Sequence, residues 1–150
     1  MATNSIDISI HSMDDLAIFA KQLSKLVSPP MIIGLNGDMG SGKTTFVRTF
    51  GQIVKSTDWI NSPTYSIIQR YTAPSYTILH VDLYRTNGDI DIDHLDIPSQ
   101  LSTSTIAFIE WLDKTSLFEP AIELTFSLID DNKRTITLKS NAKPIIDAFK

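Results

Sequence analysis

The stretch "GDMGSGKTTF", residues 37–46, limits what this chain can fold into more than any other. Gly37, Gly42, Lys43 and Thr44 satisfy G-x-x-x-x-G-K-[ST] in full. Glycines at those places let backbone N–H groups turn inward onto phosphate oxygens with no side chain in the way, and the lysine reaches the β and γ phosphates. The Thr44 hydroxyl is then available to Mg2+, and a helix starting at the loop aims its positive end at the same phosphates. The flanks agree. "MIIGLN" before the loop is a short apolar run, and "TTFVRTFGQIV" after it places Phe46, Val47, Phe50 and Val54 at helical spacing.

A strand, a glycine-rich loop and an amphipathic helix in that order belong to the P-loop NTPase fold, and the remaining residues supply elements for it. "SIDISI" (5–10) alternates as a half-buried strand does. Ser12 and Asp15 have capping-box spacing, with Asp in place of Glu, ahead of a helical pattern of Leu16, Phe19, Ala20, Leu23, Leu26 and Val27. Pro29 and Pro30 end that helix. "SPTYSIIQRY" reads as a turn opening a strand, "YTILHVDLY" and "TIAFIEW" as further strands, and "IELTFSLIDDNKRTITLK" as a hairpin about Asp130 to Lys133. The acidic run "RTNGDIDIDHLDIPSQL" is expected to be loop with short helical turns, and "KPIIDAFK" a last helix. The expectation is an α/β fold: one three-layer domain over residues 1–150, with a mixed, largely parallel central sheet, helices on both faces and a C-terminal antiparallel hairpin.

Composition narrows the function. The chain has no cysteine, which excludes disulfides, thiolate metal sites and cysteine nucleophiles and suits a reducing cytosol. Neither a signal-peptide pattern nor an apolar run near the ~20 residues of a membrane span is present, so a cytoplasmic location without membrane contact is expected. Net charge is −4, with no run of Lys or Arg, which argues against independent DNA binding or unassisted RNA binding. Asp89, Asp91, Asp93 and Asp96 suggest calcium. Counted as an EF-hand loop from Asp89, however, position six is His94 instead of Gly and position twelve is Gln100 instead of Glu. They read as a solvated acidic face, with a docking patch for a basic partner as the alternative.

A GTPase reading fails on "NKRT", where Thr135 replaces the aspartate that bonds guanine, and on "DLYR", where Arg85 replaces a glycine. A metal-binding NTPase also needs a carboxylate at the end of a neighbouring strand. Asp82 in "HVDLYR" and Glu110 in "IAFIEW" both end strand patterns. Glu110, after the longer apolar approach, is the choice for the Walker-B-like acid, with a water-mediated Mg2+ contact allowed; which of the two dominates stays open.

"GDMGSGKTTF", "SPTYSI", "HVDLYR" and "IEW", in this order and spacing, resemble the TsaE-type ATPases (once called YjeE) of bacterial tRNA threonylcarbamoyladenosine synthesis, over about residues 10–140. The resemblance implies ATP and Mg2+ as cofactors, and hydrolysis while docked on the threonylcarbamoyl-transferase complex with its TsaD- and TsaB-type subunits. Contact with tRNA would be indirect, through that complex. It also implies nucleotide contacts at Gly37, Asp38, Met39, Gly40, Ser41, Gly42, Lys43, Thr44 and Thr45, with Arg134 near the base. Thr44, Glu110 and Asp82 would serve the metal, and Lys43, Thr64, Asp82 and Glu110 the chemistry. Ser62, Pro63 and Thr64 map onto a switch-like segment, and His80, Asp82, Tyr84 and Arg85 onto H-x-D-x-Y-R. His80 reads equally as a catalytic or coupling residue and as a hydrogen-bonded strand histidine, and core or interface filler is a commoner reading of Trp111 than nucleotide stacker. Leu112 stands where the family commonly has proline, and the acidic segment lacks a glycine frequent near Asp96. The alternatives are a small phosphotransferase using Asp82 as base on a metabolite hydroxyl, and a nucleotide-sensing module without turnover.

Overall fold

Period-two alternation along the strands decides which side chains meet which helices, and so where the loop's neighbours stand. A computed structural model of the chain describes residues 4–57, 67–84, 86, 88–112 and 115–150. In chain order these form β1 (Asn4–Ile10), α1 (Met13–Ser24), β2 (Met31–Asn36), α2 (Lys43–Ile53), β3 (Ile68–Thr72), β4 (Thr77–Asp82), α3 (Asp89–His94), α4 (Ile97–Gln100), β5 (Thr105–Glu110), β6 (Ile122–Asp130), β7 (Lys133–Ser140) and α5 (Lys143–Asp147). Among the described residues one sheet runs β1-β7-β6-β2-β5-β4-β3. Its central strands β6, β2, β5 and β4 are parallel. The β1–β7, β6–β7 and β3–β4 pairs are antiparallel.

Every residue of β5 is buried, as a parallel strand covered on both faces must be. Ile33 and Leu35 of β2, Ile78 of β4, Ile106 and Phe108 of β5, and Leu124 and Phe126 of β6 join Phe19 and Leu23 of α1 and Phe46 and Phe50 of α2 in one core. Leu79, Val81, Ala107 and Ile109 point the other way, against Ile92 of α3 and Ile97 of α4. The three-layer arrangement expected from the sequence follows from this split.

Phe46 ties the phosphate loop to that core. It sits one turn into α2, and its ring centroid lies 5.7 Å from Phe19, 6.0 Å from Phe108 and 5.8 Å from Phe126. It thus contacts α1, β5 and β6 at once, and any shift of the first turn of α2 disturbs all three.

Local chemistry sets the ends of elements as the sequence suggested. Ser12 Oγ accepts the Asp15 N–H at 3.1 Å, capping α1. Asp15 reaches back to the N–H of His11 at 2.9 Å, one residue earlier than in the usual reciprocal box. The acidic segment forms the short helices α3 and α4, hinged at Asp96, whose φ of 52° is left-handed. Within it Asp89 Oδ1 accepts from Thr115 Oγ1 at 2.7 Å, so this carboxylate serves a loop contact. The β6–β7 hairpin turns at Asp130–Lys133, where Asp130 Oδ1 accepts the Asn132 N–H at 2.8 Å. The switch-like Ser62, Pro63 and Thr64, and Arg85, lie outside the described residues.

Candidate nucleotide site

The site forms at the carboxyl ends of the parallel strands, where open α/β sheets leave a crevice. β2 ends at Asn36 and runs directly into the loop, while β4 and β5 end side by side with Asp82 opposite Glu110 in register. The expectation that two acids close neighbouring strands is therefore met in space, beside the loop. A cavity of about 290 Å3 is lined by Met39, Gly40, Gly42, Lys43, Thr44, Thr45, Asp82, Tyr84, Glu110, Trp111 and Arg134.

The loop's backbone explains its glycines. Gly37 has φ 140°, and a Cβ on it would lie 2.6 Å from the Phe126 carbonyl oxygen and 2.8 Å from Ser41 Oγ. Gly42 has φ 111° as the N-cap of α2, a conformation other residues adopt only with strain. The Asp38 carbonyl accepts the Ser41 N–H at 3.1 Å and closes the turn, leaving Met39 73% exposed at the rim.

Lys43 is buried, with Nζ donating to the Gly37 carbonyl and lying 4.1 Å from the centroid of the Trp111 ring. Thr44 Oγ1 donates to Glu110 Oε2 at 3.4 Å, linking loop and strand acid. Arg134, on β7, reaches across so that its guanidinium is 3.6 Å from where a Cβ on Gly42 would sit. It also borders a second cavity of about 160 Å3 lined with His11, Ser12 and Asn132.

A nucleotide phosphate group and Mg2+ fit these residues. Ser41 Oγ is buried and has no hydrogen-bond partner among the described residues, as a cradle awaiting phosphate oxygens would leave it. The space a Cβ would fill at Gly37 is closed, so the loop packs directly against the backbone of β6 there. One hydroxyl and two carboxylates are the oxygen donors Mg2+ prefers when phosphates complete its shell.

Over residues 10–137 the chain matches the family described as threonylcarbamoyl adenosine biosynthesis protein TsaE. It belongs to the TsaE family. The tRNA threonylcarbamoyladenosine biosynthesis protein TsaE of Rickettsia bellii is 37% identical over 131 residues, 83% of this chain and 88% of that protein. Its namesake from Haemophilus influenzae is 32% identical over 87% of this chain and 86% of its own. In fold the chain is similar to the crystal structure of Bacillus subtilis YdiB, with a TM-score of 0.75 over 99% of this chain and 94% of that one. At 19% identity that likeness bears on the fold.

In this TsaE-family chain the two acids have different surroundings. Burial pushes the Asp82 carboxyl up from the ordinary aspartate value; the Tyr84 N–H at 2.9 Å pulls it back, and Glu110 raises it again. Glu110 is almost wholly buried, and its Oε2 meets His80 Nε2 at 2.6 Å. His80, left between a coupling role and a structural one by the sequence, is thus a direct partner of the strand acid. Its position two residues before Asp82 was the available signal, since period two puts both on the face of β4 that looks toward α2.

Trp111, expected as core or interface filler, does pack against the second core. It is also a wall of the cavity, with φ 62° and its ring centroid 5.1 Å from that of Tyr84. No pattern in the sequence marks a left-handed tryptophan. Among the described residues no helix is long and apolar enough to cross a membrane.

Proposed function

We propose that this chain is a Mg2+-dependent ATPase serving threonylcarbamoyl modification of the adenosine beside the tRNA anticodon, and that it acts on a threonylcarbamoyl-transferase complex with TsaD- and TsaB-type subunits. The observation that carries the reading is the meeting of a full phosphate loop with two strand-end carboxylates, Glu110 touching Thr44 at 3.4 Å, in a chain of the TsaE family.

In this reading backbone N–H groups of the loop, residues 37–45, bind the phosphates. Lys43 leaves the Gly37 carbonyl and the Trp111 face for the β and γ oxygens. Thr44 and Glu110 would hold the metal, with Asp82 beside them, and a Mg2+ bound there would supply positive charge against that developing on the transferring phosphoryl group. Asp82 and Glu110 orient the attacking water, Thr64 attends the γ-phosphate side, and Arg134 lies toward the base. Net charge of −4 makes contact with tRNA a matter for the partner complex. The exposed Met39 and Tyr84 at the cavity rim are surfaces a docked partner would cover, and turnover by the lone chain is expected to be slow.

The test is ATP hydrolysis by the purified chain, alone and with the transferase complex and tRNA. Stimulation that disappears in Glu110→Ala supports the reading. Unchanged hydrolysis, together with phosphoryl transfer to an added metabolite, would replace it with a small phosphotransferase.

A further inference from the structure

The geometry points to His80 as a positioning residue that fixes the carboxylate of Glu110 for the metal, an inference that rests on the Mg2+-nucleotide reading of the site. His80 is fully buried on β4 and faces the same side of the sheet as Asp82 and Glu110. Its strand neighbours in register are Gln69 on β3 and Phe108 on β5, and its ring leans diagonally past Phe108 to Glu110.

Nε2 lies 2.6 Å from Glu110 Oε2, while Nδ1 is buried with no partner among the described residues. A hydrogen on Nδ1 would have no acceptor there, which is costly in a dry interior. The imidazole hydrogen therefore belongs on Nε2 and is donated to the carboxylate. The same oxygen receives the Thr44 hydroxyl at 3.4 Å. Oε2 is thus held from two sides, which restricts rotation of the carboxylate. A short hydrogen bond to a carboxylate is among the stronger ones available, and here its imidazole partner is fully buried.

A plain core histidine would do none of this. Filling a gap beside Phe108 requires volume alone, and an imidazole placed only for volume would leave two buried polar atoms unmet instead of one. What His80 adds is a fixed direction for a nearly buried charge. Groups that orient metal-binding side chains typically change metal affinity or activity by about 10–100-fold when removed.

Two substitutions separate the roles. His80→Gln puts an amide N–H near the position of Nε2 and keeps the donor; His80→Leu keeps bulk and removes it. The readouts are affinity for a fluorescent ATP analogue with Mg2+ and with EDTA, and direct Mn2+ binding to the nucleotide-loaded chain by electron paramagnetic resonance. Thermal melting checks the fold of each variant. The expected result is metal-free nucleotide affinity within about 3-fold of the parent for both variants. Metal-dependent affinity and Mn2+ binding should fall about 10-fold or more in His80→Leu and largely recover in His80→Gln. In a Glu110→Ala background, His80→Leu should add no further loss.

Unchanged metal dependence in a folded His80→Leu chain would overturn the inference. So would equal losses in the Leu and Gln variants, or a further loss on top of Glu110→Ala. If the parent chain shows no metal dependence of nucleotide binding, the Mg2+-nucleotide reading itself falls and this inference falls with it; the parent control separates that failure from failure of His80's role alone.

Discussion

The ammonium of Lys43 lies 4.1 Å from the centroid of the Trp111 ring while its Nζ donates to the Gly37 carbonyl. The lysine that should grip phosphate is held by its own loop and by a strand-end aromatic. A cation over an indole face contributes about 0.5–2 kcal/mol, a modest hold that charge-assisted bonds to phosphate exceed. Nucleotide binding should therefore draw Lys43 off the ring. Trp59 and Trp111 are the chain's two tryptophans, so Trp59→Phe isolates the reporter. In that background Trp111 emission should change saturably with ATP. Lys43→Ala should abolish the titration by weakening nucleotide affinity at least about 10-fold. A flat signal at concentrations shown by calorimetry to saturate would contradict the movement.

The strand-end acids should separate in kinetics. Glu110 touches Thr44 and is almost wholly buried, so in the proposed function Glu110→Ala would remove a fixed metal ligand. Hydrolysis stimulated by the partner complex should fall about 100-fold, the size seen when one preorganised group is lost, with metal-free nucleotide affinity changing far less. Normal Mg2+-dependent turnover in this variant would reject the assignment.

Asp82 carries a desolvation cost. Burial raises its carboxyl, so in the chain without nucleotide ionising it costs more in the folded state than in the unfolded one. Stability from this group is fully present below the ordinary aspartate value of about 3.9 and is lost as pH rises through the raised one. Asp82→Asn should thus melt no lower than the parent at neutral pH and should flatten the pH dependence just above that value, while metal-dependent hydrolysis drops. A clear fall in Tm at pH 7 would show that the ionised carboxylate stabilises the fold.

Gly37 admits no side chain. With φ 140° and a hypothetical Cβ 2.6 Å from a backbone oxygen of β6, Gly37→Ala must displace either the loop or the strand. Loss of nucleotide binding in a chain that still folds, judged by circular dichroism, is the expected outcome. Binding equal to the parent's would mean that the loop relaxes without consequence.

Phe46 should matter for stability more than its place beside the site suggests. Its ring meets those of Phe19, Phe50, Phe108 and Phe126. Phe46→Ala should cost about 3–5 kcal/mol, lowering Tm by roughly 6–20 °C for a domain of this size. A change under about 3 °C would mean that the core closes over the gap.

Much of this was legible in the chain itself. The loop between "MIIGLN" and "TTFVRTFGQIV" was identified because glycine, lysine and threonine spacing encodes backbone geometry and charge within a few residues. β1 was legible because alternation is local, the central strands because each is a short apolar run, and the start of α1 because Ser12 acts on its immediate neighbours; the helix itself ends at Ser24, before the Leu26 and Val27 that the pattern includes and short of the two prolines. Even Asp82 and Glu110 could be proposed, since each closes an apolar run.

Tertiary structure alone decided the partnerships. That Asp82 and Glu110 stand opposite each other depends on β4 lying beside β5, a pairing set by which faces the helices cover and not by either strand's sequence. His80 and Glu110 are thirty positions apart and meet at 2.6 Å through that pairing. Arg134 reaches the loop from β7 across a hairpin, and Trp111 takes a left-handed turn under Lys43. Local chemistry fixes what a residue is able to do; long-range packing, which rewards burial wherever it occurs along the chain, fixes what it does it to.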